Sequence, residues 1–212
     1  MTGASSTAVV SPSRATARAL LMAKGLPPVL VNAVTRALAP DESIVWIAQP
    51  VPAGIARRHL GSAIFGLPWT AFFVWWTVMG ARADEGYALL GLPLIALGVS
   101  GALAPLLAMR AARRSVYVIS DRRALVISTG ELGRQPWPTN TLTVRSYEPD
   151  QLRERMLVEV ADGVGDVVFR TTEEEGYEQT VVVTEGFLAV PDAHAAERAL
   201  ANLRDPSANR RF

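Results

Sequence analysis

The sequence predicts an α+β membrane protein, in which a two-helix transmembrane hairpin is followed by an antiparallel β domain with a C-terminal helix. Three observations predict it. Leu60 to Ala81 and Gly86 to Met109 are uncharged apolar runs of 22 and 24 residues, each longer than the roughly 20 residues that cross about 30 Å of hydrocarbon. From Val116 onward apolar and polar residues alternate, the period of strands with one buried face. From Pro191 to Leu203 the spacing changes again, so that Ala196, Ala199, Leu200 and Leu203 share one face of a helix.

Composition agrees with a mixed protein. Of 212 residues 50% are hydrophobic and mean hydropathy is +0.20, too apolar for an ordinary soluble domain and not apolar enough for one wholly in lipid. The net charge of +1 conceals an asymmetry: residues 1 to 114 carry ten Lys/Arg against four Asp/Glu, and residues 115 to 212 carry eleven against sixteen. The basic half is the half with the apolar runs. Cysteine is absent, which removes disulfides, thiolate nucleophiles and thiolate metal sites.

Residues 1 to 25, rich in Ala, Ser and Thr, read as a disordered cytoplasmic tail. Their longest apolar stretch, Ala19 to Ala23, is too short for the core of a signal peptide. Residues 26 to 59 lead to the membrane. Val31, Val34 and Leu38 recur at spacings of three and four, predicting a short amphipathic helix that lies on the membrane or packs on the β domain. Ser43 to Gln49 alternates like a strand and is stopped by Pro50 and Pro52.

The hairpin covers residues 60 to 109, with spans at 60–81 and 86–109. Only Arg82 to Glu85 connect them, so the helices must be antiparallel and adjacent. Gly98, Gly101, Ala102 and Pro105, with Gly61 and Gly66 opposite, offer small surfaces for close approach. Pro68, Pro93 and Pro105 are expected to bend the helices, because each removes an internal hydrogen bond. Trp75, Trp76 and Tyr87 suit headgroup level, whereas Trp69 lies too deep. Neither span holds an ionisable residue that would line a transport path.

Arg57, Arg58 and His59 precede the hairpin and Arg110, Arg113 and Arg114 follow it, against one arginine beside two acids in the connection. The positive-inside rule therefore predicts a multi-pass protein of the cell (inner) membrane with both termini cytoplasmic. Arg110, Arg113 and Arg114 fall on one side of a helix continuing past the membrane, and are the candidate anchors to anionic lipid headgroups.

The β domain is expected over residues 115 to 204, with a tail at 205–212. Its strands are Val116 to Val118, Ala124 to Ser128, Leu142 to Val144, Met156 to Val160, Val167 to Phe169, Thr180 to Val183 and a last short one at Glu185 to Val190. Asp121-Arg122 forms the first turn, and Asp162-Gly163 is the clearest hairpin signal because glycine permits positive φ. Glu173 to Gly176 reads as an exposed loop, and Pro191 suits the first turn of the closing helix.

Four pieces of sequence resemble the bacterial pleckstrin-homology-like family of membrane-anchored proteins. They are Pro40-Asp41-Glu42 with Trp46 and Pro50 before the hairpin; Tyr117-Val118-Ile119-Ser120-Asp121-Arg122-Arg123 after it; Asp162-Gly163-Val164-Gly165-Asp166-Val167-Val168-Phe169; and Gly186-Phe187 before the terminal helix. Their order covers about residues 38 to 204. The resemblance implies a PH-like antiparallel split barrel at the inner face of a bacterial membrane, a fold that binds ligands or partners and is not known for catalysis. Two places depart from it: the segment with Gly133, Pro136, Trp137 and Pro138, which lacks the pattern of a regular third strand, and a long acid-rich loop from Glu173 to Glu178.

Nothing in the residues points to catalysis. His59 and His194 lie on opposite sides of the hairpin without a carboxylate at ligand spacing, so no metal or other cofactor is expected. Asp162 and Asp166 flank turn glycines and read as a hairpin, not an acid/base pair. Arg122 and Arg123 read first as a charged turn with Asp121; phosphate contact, as in the first hairpin of eukaryotic PH domains, is the lesser alternative. An acidic β domain argues against nucleic acid. The expected function is non-enzymatic display of the PH-like module for binding another membrane or cytoplasmic protein, or a second copy, with membrane lipids as further partners. The alternative is an accessory subunit of a transporter or export complex.

Overall fold

The computed structural model describes residues 14–83, 86–129, 142–152, 155–161, 163–175 and 180–204. The chain begins with two helices, α1 (Arg14–Ala23) and α2 (Pro28–Ala37), followed by strand β1 (Ile44–Ala48) and a short helix α3 (Pro52–Arg57). Two long helices follow, α4 (Leu60–Arg82) and α5 (Gly91–Ala112), both long and apolar enough to cross a membrane. Beyond them run β2 (Val116–Ser120), β3 (Ala124–Thr129), β4 (Leu142–Tyr147), β5 (Met156–Ala161), β6 (Val164–Glu175), β7 (Thr180–Pro191) and helix α6 (Ala193–Arg204).

The strands form two antiparallel sheets, one of four in the order β1-β2-β3-β4 and one of three in the order β5-β6-β7. β1 pairs with β2 across the whole hairpin, Ile47 opposite Val118 and Ala48 opposite Tyr117. The helical pair is therefore an insertion between two neighbouring strands of one sheet, and the β domain starts before it.

Every residue of β2 is buried, because both faces of its sheet are covered. Tyr117 and Ile119 point into a core shared with Phe169, Phe187, Leu200 and Leu203. Val116 and Val118 point the other way, onto Leu21, Leu30, Val31 and Val34 of α1 and α2. Full burial of each such Val, Leu or Phe contributes about 2 kcal/mol, which explains why the amphipathic helix after residue 26 packs on the sheet. The supposed tail is shorter than its composition implies: Arg14–Ala23 is helical, held by Ala17 and Leu21. Residues 1–13 and the tail at 205–212 lie outside the described residues.

α6 closes the open end of the core with Ala193, Ala196, Ala199, Leu200 and Leu203. It starts one step later than its proline suggests. Pro191 is the last residue of β7, and Asp192 caps the helix by accepting from the Ala195 N–H at 3.0 Å. At the centre, Phe187 stacks on Tyr117 at 4.8 Å and on Trp46 at 5.7 Å, with Phe169 edge-on at 4.8 Å. Gly186 makes this possible, since a Cβ there would collide with the Val167 carbonyl. Burial pushes the Tyr117 phenol far above its ordinary range, and its hydroxyl accepts from the Leu188 N–H at 3.1 Å.

The second sheet is longer than the alternation predicts. β7 runs unbroken from Thr180 to Pro191 where two short strands are expected, and β6 continues through Glu173–Glu175. Glu173 and Glu174 are ladder residues opposite Val182 and Val181, because the cross-strand ladder extends a hairpin beyond what side-chain pattern shows. Gly163 has φ +74° at the β5–β6 turn; Asp162, the segment with Gly133, Pro136, Trp137 and Pro138, and the loop tip with Glu178 lie outside the described residues.

α4 and α5 pack through small residues and face bulky ones outward. A Cβ on Gly66 would meet the Ala102 nitrogen at 2.5 Å and the Gly98 oxygen at 2.6 Å, whereas one on Gly61 meets nothing within 4 Å. Gly61 is thus no part of the seam. Trp69 crosses it, donating its indole N–H to the Leu94 carbonyl at 3.0 Å. Ile64, Phe65, Leu67, Phe72, Trp75, Leu97 and Leu106 are exposed, the inverse of a soluble protein's distribution. The second long helix starts at Gly91, after a 3-10 turn at Gly86–Leu90, and continues to Ala112. Pro93 therefore sits in its first turn, where no internal hydrogen bond is lost, and only Pro68 and Pro105 lie inside helices.

Candidate functional site

The base of the hairpin is where the sheets, the long helices and a cluster of exposed arginines meet. Local sequence brings them there. Pro50 and Pro52 end β1 and start α3, which places Ile55 against Ala108 and Ala112 of α5 and against Leu188 and Ala189 of β7. Val51 N–H donates to the Ala189 carbonyl at 2.7 Å. The Gln49 side-chain amide reaches the carbonyls of Arg113 and Ser115, both at 3.3 Å, and so ties the chain leaving β1 to the chain returning from α5.

Arg58 and Asp166 lock this base to the second sheet. The Arg58 guanidinium pairs with Asp166 Oδ2, and Asp166 Oδ1 accepts from the Ala189 N–H at 2.7 Å. Asp166 is 8% exposed, so its charge is tolerable only because both oxygens are engaged. Reading the residues as a simple turn acid missed this role. The one signal was Gly165, where a Cβ would meet the Val158 carbonyl at 2.8 Å, so that its strand lies close to its neighbour.

Arg110 lies in the last turn of α5 and Arg113 and Arg114 follow it, all exposed, with exposed Arg57 on the adjoining end of α3. Among the described residues none of the four has a carboxylate partner. They form a basic girdle at the shared end of the two apolar helices, and cations also suit a helix C-terminus.

Arg122 and Arg123 are placed elsewhere and are both engaged. Arg122 pairs with exposed Asp41. Arg123 grips Glu42, Nε to Oε1 at 3.0 Å and Nη2 to Oε2 at 3.0 Å, and also donates to the Ala37 carbonyl at 2.9 Å. Glu42 further accepts from the Ser120 hydroxyl at 2.6 Å and the Ala39 N–H at 2.8 Å. Burial by itself would raise this carboxyl, but Arg123, the Ala39 N–H and Ser120 together hold it below its usual range. Asp121 joins the same corner by accepting from the Ser43 N–H at 3.1 Å. The guanidiniums at this turn are thus committed to the Pro40-Asp41-Glu42 segment.

His59 is half-buried at the start of α4, where burial and then the neighbouring Arg58 lower its pKa. His194 stands in the first turn of α6, 3.7 Å from Glu159, with both side chains more than half exposed.

The fold and this site define an α+β chain whose two-sheet domain is joined, through a hydrogen-bonded basic base, to a pair of helices able to cross a membrane. Compared with known proteins, the chain matches no family model, no curated protein and no solved structure.

Proposed function

We propose that the protein is a non-enzymatic bacterial inner-membrane protein that holds a PH-like module at the cytoplasmic face for binding another protein. The observation that carries this reading is the insertion of the hairpin between paired β1 and β2, reinforced by Gln49 and by Arg58–Asp166. A domain joined in this way stands at a fixed distance from the bilayer instead of swinging on a linker. Four strands against three, closed by a C-terminal helix, support the PH-like reading. Outward bulky residues on the helices support burial in lipid, and the girdle of Arg57, Arg110, Arg113 and Arg114 supports a cytoplasmic base on anionic headgroups.

A second reading, an accessory subunit of a transporter or export complex, rests on the same outward face with Phe65, Phe72 and Trp75, which helices of another protein would cover as well as lipid does. Purification in mild detergent separates them: a stoichiometric polytopic partner favours the subunit, and a lone monomer or homo-oligomer favours the display module.

Because cysteine is absent, single cysteines test the topology directly. A cysteine at exposed Ala83 is expected to react with an impermeant thiol reagent from outside, and one at exposed Ala201 only after permeabilisation. Reversed labelling means the module faces outward; labelling of both from outside means that the hairpin does not span.

A further inference from the structure

Resting on the display reading, we infer that the outer face of β5 is a further contact with the bilayer, in which Met156 and Val158 sit among the lipid headgroups and hold the second sheet against the membrane surface. The inner face of that sheet closes on the core through Val167, Phe169 and Phe187. Its outer face is covered only in part. Ile55 of α3, with Ala108 and Ala112 of α5, lies on Leu188 and Ala189 of β7, and Val164 of β6 packs at the margin. Arg58 carries this cover as far as Asp166 of β6. β5 is the last strand of the sheet, and there Met156 is 58% and Val158 36% exposed.

The outward residues are of the wrong kind for water. Val158 is opposite Asp166 and Met156 opposite Val168, and residues directly opposite each other share a face. Three of these four are apolar, and the carboxylate of the fourth is engaged by Arg58. Glu159, the one ionisable residue of β5, is turned to the other face, 3.7 Å from His194 of α6. A sheet with one face in water places its polar residues there, and an edge strand is ordinarily blunted by charge. β5 does neither on this face.

Position decides for lipid. The Cβ of Val158 stands about 5 Å from that of Asp166, Asp166 is held by Arg58, and Arg58 is two residues before Leu60, at most about 7 Å of chain from the start of α4. The apolar pair thus adjoins the point where the first span begins, next to exposed Arg57. Apolar side chains beside arginines suit the boundary between headgroups and acyl chains, where burial of apolar area and attraction to anionic lipid act together. Two side chains fall far short of the roughly 800 Å² per partner that a stable protein interface buries. As an extension of a membrane contact already made by the hairpin, they need no such area.

The test uses the full-length protein in nanodiscs of phosphatidylcholine and phosphatidylglycerol, made with and without nitroxide-labelled lipid. Single cysteines, introduced into a chain that has none, carry a fluorophore in place of Met156, of Val158 or of Val45, which is 50% exposed at the end of β1 away from the hairpin. A fourth replaces Leu97, 61% exposed in α5, and reports whether the hairpin is inserted. All four side chains are exposed, so the fold is expected to survive, and the melting temperature of each variant checks this. With Leu97 quenched by nitroxide deep in the acyl chains, the probes at Met156 and Val158 are expected to be quenched by nitroxide just below the headgroups at least threefold more than the probe at Val45. A smaller ratio at either position overturns the proposal and leaves this face to water or to a protein partner. An unquenched Leu97 means that the hairpin does not span, which removes the display reading and this proposal with it, so the two failures are told apart in one sample.

Discussion

Glu42 and Arg123 are 81 residues apart in the chain and joined by two hydrogen bonds of 3.0 Å, with the whole hairpin folded between them. The carboxylate side chain is fully buried. This pair closes the sheet beyond β1 and β2, as Gln49 closes it at the end beside the two long helices.

Removing one member strands the other. Arg123→Ala is expected to destabilise the protein by about 3 kcal/mol, since an uncompensated buried carboxylate remains, whereas Arg122→Ala, whose partner Asp41 is exposed, is expected to change stability little. Thermal unfolding of the two variants in detergent makes the comparison; equal melting temperatures would refute the assigned roles.

The same pair sets an acid dependence. The Glu42 carboxyl is held below its ordinary value in the folded protein, so its contribution is complete above the unfolded value, about 4.3, and disappears as pH falls through the lower folded value. Melting temperature is expected to drop on acidification below about pH 4, and Glu42→Gln to flatten that limb. A drop of unchanged size in the variant would assign it to other carboxylates.

At the helical seam, Gly66→Leu is expected to force the helices apart, costing about 1 to 3 kcal/mol, because a Cβ already meets backbone at 2.5 Å. Gly61→Leu, facing open space, is expected to cost almost nothing. Tryptophan fluorescence reports the first change, since Trp69 loses its bond to Leu94. Equal tolerance of both substitutions would mean that the helices do not pack as described.

The latch at the base gives a local readout. Asp166→Ala leaves the Ala189 N–H unsatisfied and Arg58 without its partner, a loss of about 2 kcal/mol. Tryptic cleavage after Arg57 and Arg58 is expected to accelerate, with Asp166→Asn intermediate. Unchanged cleavage would show that the base is held by its apolar contacts alone.

For the girdle, replacing Arg110, Arg113 and Arg114 together by Gln is expected to raise the fraction of inverted or uninserted protein. Correctly inserted protein is expected to retain less anionic lipid, each arginine contributing on the order of 1 kcal/mol. Normal insertion with the same bound lipid would remove the anchoring role.

What the sequence by itself determined is what run length and short-range periodicity encode. The two long helices follow from the uncharged apolar runs Leu60 to Ala81 and Gly86 to Met109, and the period-two strands and amphipathic closing helix from the spacing of Val116 to Val190 and Ala196 to Leu203, because a strand or a surface helix buries a fixed face at a fixed interval. Only tertiary structure decided which faces meet. Arg14–Ala23 has the composition of a tail and is ordered because Leu21 finds the outer face of β2 and β3. Gly66 and Gly61 look alike in sequence, and only one lies against α5. Glu42 with Arg123, Asp166 with Arg58 and Gln49 with Ser115 are pairs 81, 108 and 66 residues apart. No local pattern links them, since the partner of a buried polar group is chosen by the closing of sheets and helices and not by the neighbouring residues.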